Sequence, residues 1–172
     1  QDVLSDTYND LYIYTSGTKT ATGNITVTED IKIDNAGVVF AIGTNTVTVA
    51  GNTDVDGTLY ITTGTFNADG NFDSTWGTID FTSSGILALS STVTSLGTLD
   101  NASGTVTYDG GTAMLTDTYY NLVVSSGNTH TNNSGLFIIN GDLTISSGEL
   151  VCPSATVSGT IDVDGTLDAG NS

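Results

Sequence analysis

Leu143-Thr144-Ile145-Ser146-Ser147-Gly148 decides the fold: two aliphatic residues flank a polar one, a Ser pair follows, and a glycine closes the phrase. Apolar–polar–apolar alternation is the mark of a strand with one buried face, and Ser followed by Gly is turn chemistry. The phrase recurs as Leu11-Tyr12-Ile13 to Gly17, Ile31-Lys32-Ile33 to Gly37, Leu59-Tyr60-Ile61 to Gly64 and Ile79-Asp80-Phe81 to Gly85. It continues as Leu99-Asp100-Asn101 to Gly104, Leu122-Val123-Val124 to Gly127, and Ile161-Asp162-Val163 to Gly165. Over all eight copies the leading residues are spaced 20, 28, 20, 20, 23, 21 and 18 apart. A period of this size marks a repeat architecture, in which each unit buries its apolar side only by stacking on its neighbours.

The composition agrees. The 172 residues include 21 Gly and one Pro, and only 12% are charged. Helix formers are scarce, whereas Thr, Val, Ile and Tyr favour pleated surfaces and Gly, Asn and Asp favour turns. The spacing predicts an all-β, single-domain parallel β-solenoid (β-helix) over residues 1–172, with two or three short strands per coil. About eight coils at about 4.8 Å give a rod of about 40 Å. A β-sandwich is the alternative; it needs no sustained register and no glycine after each strand. The 28-residue interval from Ile31 to Leu59 reads as a coil with an insertion around Thr46-Val47-Thr48-Val49. Asp54-Val55-Asp56-Gly57-Thr58-Leu59 reappears unchanged as Asp162 to Leu167, and Asp6-Thr7-Tyr8 matches Asp117-Thr118-Tyr119. Residues of about 6–59 and 117–167 therefore read as diverged internal copies.

A formal charge of −17, from 19 Asp and Glu against Lys19 and Lys32, repels phosphate backbones and argues against nucleic acid as a partner. It also repels anionic membrane, and no apolar run approaches the ~20 residues of a membrane span. One cysteine cannot form an internal disulfide. A start at Gln1, with neither Met nor signal peptide, fits a mature, processed N-terminus and equally an excised segment.

The phrases Gly104-Thr105-Val106-Thr107-Tyr108-Asp109-Gly110, Tyr119-Tyr120-Asn121-Leu122-Val123-Val124 and Gly141-Asp142-Leu143-Thr144-Ile145-Ser146-Ser147-Gly148-Glu149-Leu150 resemble repeats of large prokaryotic surface proteins. These form the adhesin-like, Thr/Gly/Asn-rich β-solenoid family. The resemblance covers residues of about 99–170 best and 6–60 more loosely. It implies a secreted, extracellular, cell-surface role as a fibre, stalk or adhesin. The Gly-Gly-x-Gly-x-Asp runs of calcium-binding nonapeptide solenoids are missing.

An open solenoid leaves an apolar ring and strand edges at each end, which invites association unless a cap covers them. No capping segment is legible at either end, so the expectation is head-to-tail stacking into a homopolymer, or an excised piece of a longer array. The interface would use Val3, Leu4, Tyr8, Leu11, Tyr12, Ile13 and Tyr14 at one end, by stacking or strand addition, and Ile161, Val163 and Leu167 at the other. A surface adhesin that binds glycans is the alternative function, with Tyr8, Tyr12, Tyr14, Tyr60 and Trp76 as a stacking strip.

Asp80 and Asp100 hold equivalent outward positions, and Asp54/Asp56 and Asp162/Asp164 form Asp-x-Asp-Gly turns. All six are candidate Ca²⁺ ligands against a plainer reading as solvated turn carboxylates, since the downstream bidentate Glu is missing. No other cofactor is expected. An enzyme is not expected either: no Arg is present, no carboxylate pair stands out, and His130 reads as a solvated turn residue with no Ser or Cys partner in motif. Cys152 reads as a small buried apolar residue in preference to an intersubunit disulfide. Three sequons, at Asn24, Asn101 and Asn132, are candidate glycosylation sites, with a buried amide as the structural alternative for Asn101. Thr-x-Thr pairs such as Thr26/Thr28 and Thr46/Thr48 raise an ice-binding reading, which needs them on one face of successive coils.

Overall fold

In the computed structural model, which describes residues 1–111, 113–132 and 135–170, the chain winds as a three-sided parallel β-solenoid without helix among the described residues. Each coil visits the three faces in the same order. The second face is one continuous nine-stranded sheet: Thr7–Tyr8, Ile25–Val27, Thr46–Val49, Thr65–Ala68, Ile86–Leu89, Thr105–Tyr108, Asn121–Val124, Leu143–Ile145 and Ile161–Val163. Eight steps between nine strands make a stack of about 38 Å. The first face runs through six strands, from Asp2–Val3 to Thr98–Asp100, and resumes with Thr118–Tyr119, Phe137–Ile139 and Ala155–Val157. The third face has five strands, from Leu11–Ile13 to Val93–Ser95, and resumes with Thr129–Thr131, Glu149–Val151 and Thr166–Asp168.

In-register pairing turns the alternation of each strand into columns along the rod. On the second face one inward column reads Ile25, Val47, Phe66, Leu87, Val106, Leu122, Leu143, Ile161. All of these but Ile161 are buried, each contributing on the order of 1.5–3 kcal/mol of transfer free energy. Corners must let one coil lie directly on the last. At Gly77 an added Cβ would sit 2.1 Å from the Val55 carbonyl oxygen, and at Gly104 2.2 Å from Cγ of the buried Phe81 ring. Close coil-to-coil approach is thus why glycine recurs with the coil period.

The recurring phrase does not mark one face. Leu11–Ile13 and Ile31–Ile33 lie on the third face, the Leu59 and Ile79 strands on the first, and the Leu122, Leu143 and Ile161 strands on the second. The expected insertion is absent as well: Thr46–Val49 is an ordinary strand between Ile25–Val27 and Thr65–Ala68. Ile31–Ile33 pairs with Thr53–Val55, and Leu59 belongs to the next face. The repeated hexapeptide is likewise a third of a turn out of phase. Asp54 to Leu59 rounds the corner from third face to first, whereas Asp162 to Leu167 rounds the one from second to third. The phrase encodes strand-then-corner, and all three corners accept it.

First and third faces both break in the sixth coil. Between Thr105–Tyr108 and Thr118–Tyr119, only Ala113 among the described residues makes a ladder contact, an isolated bridge to Thr131. Two buried tyrosines substitute for the missing ladder. The Tyr119 hydroxyl donates to the Leu115 carbonyl at 2.6 Å, the Leu115 amide donates to the Tyr108 hydroxyl at 3.4 Å, and the two hydroxyls lie 3.2 Å apart. Backbone polar groups that leave a sheet inside a core need partners of this kind. Burial pushes the Tyr108 hydroxyl up to about 12, and burial with the neighbouring Tyr108 raises Tyr119 as well. Across the break the Asn101 side-chain amide donates to the Thr118 carbonyl.

Candidate functional site

The two ends of the rod present the same triangular cross-section. In the first coil, Val3, Tyr8 and Leu11/Ile13 take inward positions on the first, second and third faces. In the ninth, Val157, Ile161/Val163 and Leu167 do so on the same three faces. Burial differs sharply: Leu11 and Ile13 are 8% and 5% exposed, against 51% and 39% for Ile161 and Val163. Leu167 and Val157 are half-buried. At the first end a recess of about 310 Å³ is lined by Val3, Leu4, Tyr8, Ile13, Tyr14 and Lys19 among others. The Tyr8 hydroxyl donates to the Leu4 carbonyl there, while Leu4, Tyr12 and Tyr14 stand exposed around the rim. Lys19 takes an inward position opposite Phe40 and is buried, its ammonium donating to the carbonyls of Thr15, Ser16 and Gly17. At the far end a recess of about 410 Å³ is lined by Leu143, Cys152, Pro153, Val157, Ile161 and Leu167. Cys152 is buried and free, with its thiol pushed up by burial and by the Asp168 carboxylate.

Asp80 and Asp100 are direct register partners on the first face, as the sequence predicts. Burial, and secondarily the Asp100 carboxylate, raise the Asp80 carboxyl above its ordinary value. Asp54 and Asp56 instead surround a cation already in the chain: Lys32 Nζ lies 2.5 Å from Asp54, 3.0 Å from Asp56 and 3.9 Å from Asp34. The hydrogen bonds to Asp54 and Asp56 hold the ammonium well above the ordinary lysine range. Asp162 and Asp164 lie exposed on the last coil. Among the described residues no three or more His, Cys, Asp or Glu side chains are arranged to hold a metal ion.

The aromatic strip does not assemble. Tyr8 points inward, and Tyr12 and Tyr60 project from different faces. Trp76, 82% exposed, stands at the corner between third and first faces. It shares a shallow cleft of about 420 Å³ with Asp54, Asp56, Asp73 and Thr75.

His130 corrects the sequence reading most clearly. It is fully buried on the third face, at an inward position stacked on Leu150, and Ser126 Oγ lies 2.5 Å from its Nε2. Tyr108 approaches edge-on, with ring centroids 6.1 Å apart, and Nδ1 has no hydrogen-bond partner. Burial lowers its pKa. The alternation Thr129-His130-Thr131 is the signal that identifies it as core, because it repeats the in–out pattern of its neighbours.

The sequons differ in setting. Asn24 is exposed with Oδ1 accepting from the Thr46 amide, and Asn101 bridges to Thr118. Asn132 is buried, with Oδ1 accepting from the Thr116 hydroxyl at 3.1 Å, so a glycan there would require the side chain to leave the core. Its companions Asn133 and Ser134 lie outside the described residues. No known protein family, curated protein or solved structure matches the chain.

Proposed function

We propose that this chain is a structural unit of an extracellular filament or surface fibre, in which copies stack head to tail along the solenoid axis. The observation that carries the reading is the exposure of Ile161 and Val163 at core register positions of the last coil. Because every ladder is parallel, a first coil placed on a ninth coil continues all three faces in the same chain direction. Tyr8 would then extend the second-face column that ends at Val163, and Val3 and Leu11 would follow the inward Val157 and Leu167 of the first and third faces. Such a contact is heterologous and does not close, which is the geometry of a filament. Stacking needs no cofactor and no catalytic group.

A surface module that binds glycans is the second reading, favoured by Trp76 standing exposed beside three carboxylates that can accept sugar hydroxyls. Negative-stain electron microscopy of the purified chain separates the two. Long uniform fibres that vanish in Ile161→Lys support stacking; monodisperse particles about 40 Å long overturn it and leave glycan binding, lost in Trp76→Ala, as the test of the second reading.

A further inference from the structure

We propose that the outer surface of the nine-stranded second face is an ice-binding plane. Its outward residues form two columns. One reads Thr7, Thr26, Thr48, Asn67, Ala88, Thr107, Val123, Thr144, Asp162; the other runs Thr46, Thr65, Ile86, Thr105, Asn121. Three properties single this face out. No register shift interrupts its pairings, whereas the first face shifts at Tyr60/Ile61 and the third at Phe72/Asp73. Its columns carry no charge until Asp162 in the last coil, on a chain of net charge −17, whereas the outward columns elsewhere hold Asp80 and Asp100, or Lys32, Asp54 and Asp73. Its hydroxyls and methyls come mainly from threonine, whose branched side chain is held in few rotamers and needs little ordering to present both groups.

Strand pairing sets the lattice: neighbours within a column are about 4.8 Å apart and the columns about 7 Å apart, from two residues of extended chain. An uncharged array of hydroxyls and methyls held in unbroken register at these two repeats can template water in the spacing of an ice prism face. A second copy fits less well. Two such faces packed together cover about 900 Å² in total, taking a strip of ~38 by ~12 Å from each, which falls below the ~1,200 Å² of a stable interface. No aromatic ring lies in either column for a sugar to stack on.

The proposal is independent of axial stacking, and the polymerisation variant Ile161→Lys should retain it. The test is ice shaping and inhibition of ice recrystallisation by the full chain. Thr65→Lys/Thr107→Lys places charge in both columns; Thr78→Lys/Thr98→Lys, on the first face, is the control, and circular dichroism checks that each variant folds. Activity in the native chain and in the control, with loss in Thr65→Lys/Thr107→Lys, supports the ice-binding plane. An inactive native chain, equal loss in both variants, or a dimer in sedimentation that dissolves in Thr65→Lys/Thr107→Lys without ice activity overturns it.

Discussion

Replacing His130 with leucine should abolish most of the loss of stability that the protein suffers on mild acidification. The imidazole is fully buried, its Nδ1 is unpartnered, and its pKa in the folded state is depressed by burial. The unfolded chain takes up this proton at about pH 6.5, before the folded chain does, so the contribution is intact above that value and is lost as pH falls through and below it. Below the unfolded pKa the slope for one proton approaches about 1.4 kcal/mol per pH unit. For a chain of this size that is roughly 3–6 °C in Tm per unit. The carboxyls of Asp80 and Asp117, both raised by burial, act in the opposite sense: each relieves a penalty as pH falls through its raised value toward the ordinary carboxylate value of about 3.9. Calorimetry of the native chain and of His130→Leu between about pH 8 and 5 isolates the histidine, because both carboxyls are common to the two proteins and cancel in the difference. His130 stacks on Leu150, so leucine continues an existing column, and Ser126 Oγ, which also accepts from the Asn128 amide at 3.1 Å, keeps a partner. A flatter Tm profile in His130→Leu is the expected result. A leucine variant that loses Tm with acid as steeply as the native chain refutes the reasoning.

Gly104→Ala drives a methyl into the Phe81 ring, which is buried and cannot swing away; a loss of roughly 3 kcal/mol is expected, read as a fall in the urea midpoint at unchanged m-value. Tyr108→Phe leaves the Leu115 amide without its hydroxyl acceptor and should cost about 1–2 kcal/mol by the same measurement. Lys32→Met removes the ammonium shared by Asp34, Asp54 and Asp56; the pair is largely solvated, so the loss should stay within about 1 kcal/mol and shrink as salt is added.

Much of the fold is legible because its period is written twice, once in the aliphatic alternation and once in glycine. Strand identity, parallel stacking and the inward positions of residues such as Ile31, Ile61 and Leu143 follow from those two signals. The face to which each strand belongs does not. Leu59 and Leu122 head identical-looking phrases yet lie on the first and second faces, since three corners with similar Gly and Asp chemistry are interchangeable locally. That ambiguity produced the expected insertion at Thr46–Val49. It also hid the threonine columns, because outward residues read along the chain mix three faces while those read along one sheet do not. His130 and Asn132 were misplaced for a related reason: polar composition suggested a turn, and the core at that coil accepts polar side chains because a hydroxyl meets each of them.

By itself, then, the sequence determined a stacked, all-β chain whose units cannot bury their apolar residues alone, since alternation and period are local properties. Only the tertiary structure decided which residues become lattice neighbours: Asp80 with Asp100, Lys32 with Asp54, Thr65 with Thr46, Tyr108 with Tyr119. These pairs lie between 11 and 22 residues apart in the chain. Their meeting depends on the summed length of every corner between them, a quantity fixed by packing and not by any one residue.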